Sequence, residues 1–144
     1  MPLDFLSKLK ENFNIKGQKP DAYSALTLAY IGDAFYDLVI RTLVIAEKNR
    51  KVNDLHKTTS SIVNAKSQAE LVTIIMNSLT EKERDIYHRG RNAKSPTMAK
   101  NATVHDYRIA TGFEALIGYL YMNNEEDRAI ELINKGLKKM GYFT

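Results

Sequence analysis

Residues 21–46 read DAYSALTLAYIGDAFYDLVIRTLVIA. Apolar residues recur on every side of this stretch, so it predicts a long helix buried nearly all round rather than an amphipathic surface helix. Between Ala22 and Ala46 the charged residues are Asp33, Asp37 and Arg41. Asp37 and Arg41 stand one helical turn apart and can pair along the helix surface. Asp33 has no such neighbour: Ala29, Tyr30 and Tyr36 flank it, together with a second acid, Asp37. A carboxylate in apolar surroundings is paired, protonated or metal-bound, because leaving it charged and alone is expensive. Asp33 therefore requires a partner from elsewhere in the chain.

A matching oddity lies at residues 111–121, TGFEALIGYLY. Glu114 is the sole charge between Ile109 and Asn124, and its helical neighbours Ala110, Thr111, Ile117 and Gly118 offer it nothing ionic. Gly112 and Gly118 cost helix propensity, which points to close approach of another helix. Two solitary acids on two apolar, glycine-bearing helices suit a metal site shared between them. The alternative is that each meets a buried Lys, Arg or backbone group.

The 144 residues suffice for one domain with a sizeable core, and 44% hydrophobic with 26% charged content is ordinary for a soluble globular protein. No cysteine is present, which rules out disulfides, a thiolate nucleophile and a cysteine-based zinc site. The N-terminal MPLDFLSKLKENF carries charges every few residues, so neither a signal peptide nor a membrane span is expected, and the location expected is cytoplasmic. The net charge of +4 is mild, but its distribution is not even. From Ile86 to His105 the chain holds Arg89, Arg91, Lys94 and Lys100, two histidines and no acid. Such a run is either a phosphate-contacting patch or a solvated basic loop.

The remaining pattern is helical throughout. Leu3, Phe5, Leu6, Leu9 and Phe13 suggest a short amphipathic first helix, and the segment 14–20, with Gly17 and Pro20, breaks it. Asp21 is placed to cap the long helix, and Asn53 or Asp54 to cap the run that follows. The Thr58–Ser61 cluster inside that run is a poor helix interior, which predicts two helices meeting near Val63 or Asn64. Lys66, just beyond, either snorkels to solvent or meets an acid or phosphate. Thr80 with Glu83 is a capping-box pattern, Gly90 a stop, and residues 91–103 a polar loop broken by Pro96. Residues 105–122 form the second core helix. Residues 125–140 form an amphipathic one with Ala129, Leu132, Ile133 and Leu137 inward. No strand pattern, repeat or linker is visible, so the expected fold is all-α.

Scattered histidines exclude HExxH-type zinc chemistry, and neither a Walker loop nor GxGxxG is present. What remains is an acid pair able to hold a hard cation beside a basic loop. Mg2+ takes few carboxylates and keeps several waters. Such an ion can activate water and steady charge on a phosphodiester, while a basic loop grips the backbone without reading sequence.

AYIGDAFYDLVIR (residues 29–41) resembles the signature helix of the ribonuclease III family, and TGFEALIGYLY its second catalytic helix. The phrases RGRNAKS and KNAT are similar to those of the Mini-III class in particular, and the resemblance runs from Asp21 to the last helix. It implies a helical endonuclease-domain bundle that dimerises and cuts double-stranded RNA with Mg2+, leaving 5′-phosphate and 3′-hydroxyl ends. Asp33 falls on the acid of the family's GDA motif and Glu114 on that of its FEA motif; both are implied as catalytic metal ligands. Full-length relatives have two further acids where this chain has Ala29 and Thr111, so one Mg2+ per subunit is expected. The expectation is a single catalytic domain over residues 1–144 without a double-stranded-RNA-binding domain. RNA contact then falls to the catalytic domain, with Arg89, Arg91, Lys94, Lys100 and, in the AKSQA phrase, Lys66 as the candidates. The implied substrate is precursor large-subunit (23S) ribosomal RNA, with a ribosomal protein that presents it as a further partner. The competing expectations are a non-catalytic, ribosome-associated RNA-binding protein on the same fold, and a structural interaction module.

Overall fold

A computed structural model of the chain describes residues 4–94 and 103–143. Among these, seven α-helices and two 3-10 turns account for the architecture, with no strand: α1 (Phe5–Phe13), α2 (Ala25–Glu47), α3 (Val52–Val63), α4 (Ala65–Ile75), α5 (Glu81–Asn92), α6 (Val104–Met122) and α7 (Glu126–Lys139). The fold is all-α, as the periodicity predicts.

The hub is α6. From Ala110 to Tyr121 every residue but Glu114 is buried, and α2, α4 and α5 all pack on it. The closest approach is between α6 and α2, where two glycines face each other. A Cβ on Gly32 would stand 1.8 Å from the Glu114 carbonyl oxygen, and one on Gly118 would stand 1.9 Å from the Leu28 carbonyl oxygen. Side chains of any size would hold the helices apart; hydrogen alone lets the backbones touch. The neighbour of Gly32 in sequence is Asp33, so this crossing brings an acid of α2 to the turn of α6 that bears the other.

Several local expectations hold for the reasons given. Asn64 ends α3 and, with its side chain accepting from the Ser67 N–H at 2.9 Å, opens α4. Thr80 and Glu83 form a reciprocal capping box. Ala129, Leu132, Ile133 and Leu137 point inward from α7.

Others do not hold. Ser24, not Asp21, caps α2, accepting from the Thr27 N–H at 3.2 Å. Asp21 lies in the Pro20–Ala22 turn and pairs with Lys82 at 2.7 Å instead. The cap of α3 is Lys51, one residue before Val52, without a side-chain hydrogen bond. Gly90 does not stop α5, which runs on to Asn92. Its lack of a side chain serves packing, since a Cβ there would meet Ala115 and Gly112 of α6 at 2.7 and 2.8 Å. Nor is α2 buried all round: Tyr30, Leu38 and Ile45 are 81%, 63% and 59% exposed. Periodicity reports how apolar a face is, not whether this chain or another one covers it.

Candidate active site

Asp33 and Glu114 meet. The α2–α6 crossing sets the two carboxyl groups side by side, with Asp33 exposed to solvent and Glu114 half-buried. The Glu114 carboxyl is pushed up to about 9, first by burial and then by the hydrogen-bonding and repulsive Asp33 carboxylate beside it. A hydrogen bond from the Gln68 side chain works in the opposite direction.

A second buried acid in the molecule provides the contrast. Glu83 is 6% exposed, and Arg128 grips it through two hydrogen bonds of 2.9 Å. Burial alone would push that carboxyl up, but Arg128 and the Thr80 N–H hold it below the usual glutamate value. Nothing cationic is placed in that way on Asp33 or Glu114 among the described ion pairs. Two adjacent carboxylates open to water and lacking an internal cation form the donor set expected of a hard divalent ion that retains several waters. Among the described residues no cluster of three or more His, Cys, Asp and Glu exists, so the site offers two carboxylates. At the two positions where the resemblance would place further acids, Ala29 is buried, and the buried Thr111 spends its hydroxyl on the Tyr107 carbonyl at 2.9 Å.

Gln68 is a site residue that the sequence reading overlooked. It is 2% exposed, and its amide donates to the Val63 carbonyl at 3.1 Å, which fixes the side chain as it reaches Glu114. The signal was present: Gln68 is a polar residue on the apolar face defined by Ala65, Ala69 and Val72.

The basic candidates divide. Arg89, Arg91 and Lys94 lie at the C-terminal end of α5, which crosses α6 along the turn from Thr111 to Ala115 that bears Glu114. Arg89 donates to the Tyr23 carbonyl at 3.4 Å, Arg91 lies over the Tyr87 ring at 6.0 Å, and Lys94 is exposed beyond the cap residue Ala93. Lys66 is exposed in the first turn of α4, two residues from Gln68. Lys100 lies outside the described residues.

The coupled acids make a prediction about stability. A carboxyl whose folded pKa lies above its unfolded value of 4.5 stabilises the fold fully below that value. The contribution is lost as pH rises through about 9. Glu114→Gln, which resembles the protonated acid, should therefore stabilise the metal-free protein by several kcal/mol at pH 9 and by almost nothing at pH 4. Urea melts across that range in EDTA measure this; a gain independent of pH would mean that the acids do not interact.

Residues 26–125 match the family described as Ribonuclease III domain. A Mini-ribonuclease 3 from Thermoanaerobacter sp. (strain X514) is 56% identical over 105 residues, spanning 73% of this chain and 74% of that protein. A Mini-ribonuclease 3 from Enterococcus faecalis (strain ATCC 700802 / V583) is 48% identical over 120 residues, 82% of this chain and 91% of that one. The crystal structure of protein FN1578 from Fusobacterium nucleatum superposes with a TM-score of 0.77 at 33% identity, covering 86% of this chain and 99% of that one.

Proposed function

The chain belongs to the ribonuclease III family, Mini-III class, and is an endoribonuclease; we propose that it is a homodimeric, Mg2+-dependent enzyme that cleaves double-stranded RNA, leaving 5′-phosphate and 3′-hydroxyl ends. The observation that carries this reading is the meeting of Asp33 and Glu114 without an internal cation. In it, these two acids would hold Mg2+, which would supply charge stabilisation at the scissile phosphate and activate water for attack. Gln68 keeps the Glu114 carboxyl turned toward Asp33. Arg89, Arg91, Lys94, Lys100 and Lys66 supply backbone contacts, which suits a substrate recognised by A-form shape rather than by base edges.

The dimer rests on the uncovered side of α2. Ile31, Ala34, Leu38 and Ile45 fall on one face at helical spacing, with Leu38 and Ile45 exposed. Apolar grooves flank the stripe: Phe5, Phe35 and Tyr121 line one, Val52 and Leu55 the other, and Leu38 lines both. A second copy would bury this strip, as contiguous exposed apolar surface generally requires. Precursor 23S ribosomal RNA, presented by a ribosomal protein in the cytoplasm, is the proposed setting. No helix among the described residues is long and apolar enough to cross a membrane.

Incubation of the purified protein with a long double-stranded RNA tests the reading. Cutting in Mg2+, none in EDTA, and ligatable 5′-phosphate ends are the expected results. Binding without cutting under any divalent ion would instead mark a non-catalytic relative.

A further inference from the structure

We propose that the corner between α2 and α3, formed by Lys48, Arg50, Lys51 and Lys57, is a second surface that grips the phosphate backbone of a duplex extending away from the acid pair. The proposal rests on the double-stranded RNA reading and extends it to a part of the molecule that no motif marked.

Between Glu47 and Thr58 the chain carries four basic side chains against two acids, Glu47 and Asp54. Lys48, Arg50, Asp54, Lys57 and Thr58 line an open groove with a volume of about 630 Å³. Arg50 is held as its wall, donating to the Thr58 hydroxyl at 2.7 Å and to the Glu47 carboxylate at 3.0 Å. Glu47 is thereby neutralised. Lys48, Lys51 and Lys57 are exposed, and none has an ion-pair partner among the described residues. The α3 N-terminus opens at this corner without a side-chain cap, so its first N–H groups add positive potential that Asp54, in the first turn, only partly offsets. Three long ammonium side chains around a fixed guanidinium suit a repeating polyanion, gripped through its charge rather than through its base edges.

Placement on α2 links the corner to the site. Lys48 is the extended cap residue just beyond Glu47, which follows Asp33 along continuous α2 helix with a rise of about 21 Å and a rotation of about 40° from the same side. A duplex bound with one phosphate at the acids and lying along α2 therefore reaches the corner only if it continues for about 21 Å. Short duplexes would engage the acid pair and the α5 end alone.

The test uses the full-length chain carrying Asp33→Asn, so that RNA survives the titration. Binding of a long and a short double-stranded RNA is measured at several KCl concentrations, with and without the triple substitution Lys48→Ala, Lys51→Ala and Lys57→Ala. For the long duplex, the triple variant should bind about tenfold more weakly, with the logarithmic salt slope reduced by roughly 2. The short duplex should bind alike in both. Lys16→Ala, Lys138→Ala and Lys139→Ala together remove the same charge elsewhere and should have much the smaller effect. An equal loss from this control, or an unchanged slope in a triple variant with parental circular dichroism, overturns the corner's role. Failure of the unsubstituted chain to bind either RNA overturns the functional reading first, and this proposal with it.

Discussion

Asp33→Asn and Glu114→Gln will each abolish cleavage while leaving the helical fold and RNA affinity close to those of the parent. Both substitutions keep side-chain volume and remove one anionic donor from a site that has two. A metal's stabilisation of a developing phosphorane charge amounts to several kcal/mol, so losing half the protein ligands should slow cleavage on the order of a thousandfold or more. Neither residue belongs to the hydrophobic core: Asp33 is exposed, and the neutral Glu114→Gln relieves repulsion rather than adding it. Single-turnover cleavage at saturating protein separates chemistry from binding, and far-UV circular dichroism reports the fold. Activity within tenfold of the parent in either variant would remove that acid from the site. Partial recovery of Asp33→Asn at high Mg2+ would place its effect in metal affinity.

What the sequence disclosed about this site was disclosed by incongruity. Asp33 and Glu114 stood out because each is a charge where the helical pattern calls for apolar residues, and a lone buried charge must be resolved by something outside its own helix. That logic does not reveal which of several distant groups resolves it. Glu83 read merely as the third residue of a capping box, yet it also receives Arg128 from α7, forty-five residues away. Gln68 escaped because an uncharged amide on an apolar face is a weak signal. Only the packing of α4 on α6 brings it to Glu114.

The fold's element types and the α3–α4 break were legible for local reasons: polar β-branched and hydroxyl residues weaken a helix interior, and Asn64 offers a cap. Caps chosen among several polar residues were less so. Asp21 and Ser24 both fit the start of α2, and the decision went to Ser24 because Pro20 initiates a 3-10 turn that carries Asp21 away. The exposed stripe of α2 is the most instructive miss: its apolarity predicts burial nearly all round, yet Leu38 and Ile45 stand exposed on this chain.

Gly118→Ala should unfold the protein far more readily than any surface substitution, even though alanine is the better helix former by about 1 kcal/mol. The added Cβ would stand 1.9 Å from the Leu28 carbonyl oxygen and 3.0 Å from the Gly32 nitrogen. Both are backbone atoms, so no rotamer change can make room, and α2 must move off α6 as a body. Overpacking that side chains can absorb costs about 1–3 kcal/mol; here the expected loss is about 3 kcal/mol or more, or a fall in Tm of about 10 °C for a chain of this size. Gly32→Ala should behave alike, since its Cβ would meet the Glu114 carbonyl oxygen at 1.8 Å. The same separation draws Asp33 away from Glu114. Whatever fraction of either variant remains folded should therefore need more Mg2+ for half-maximal cleavage, a change that loss of folded protein alone would not produce. Urea melts and Mg2+ titrations at a temperature where the variant is still native measure the two effects independently. Parental stability with parental Mg2+ dependence would mean that the helices do not cross this closely in solution, and the acid pair would lose the feature that brings it together.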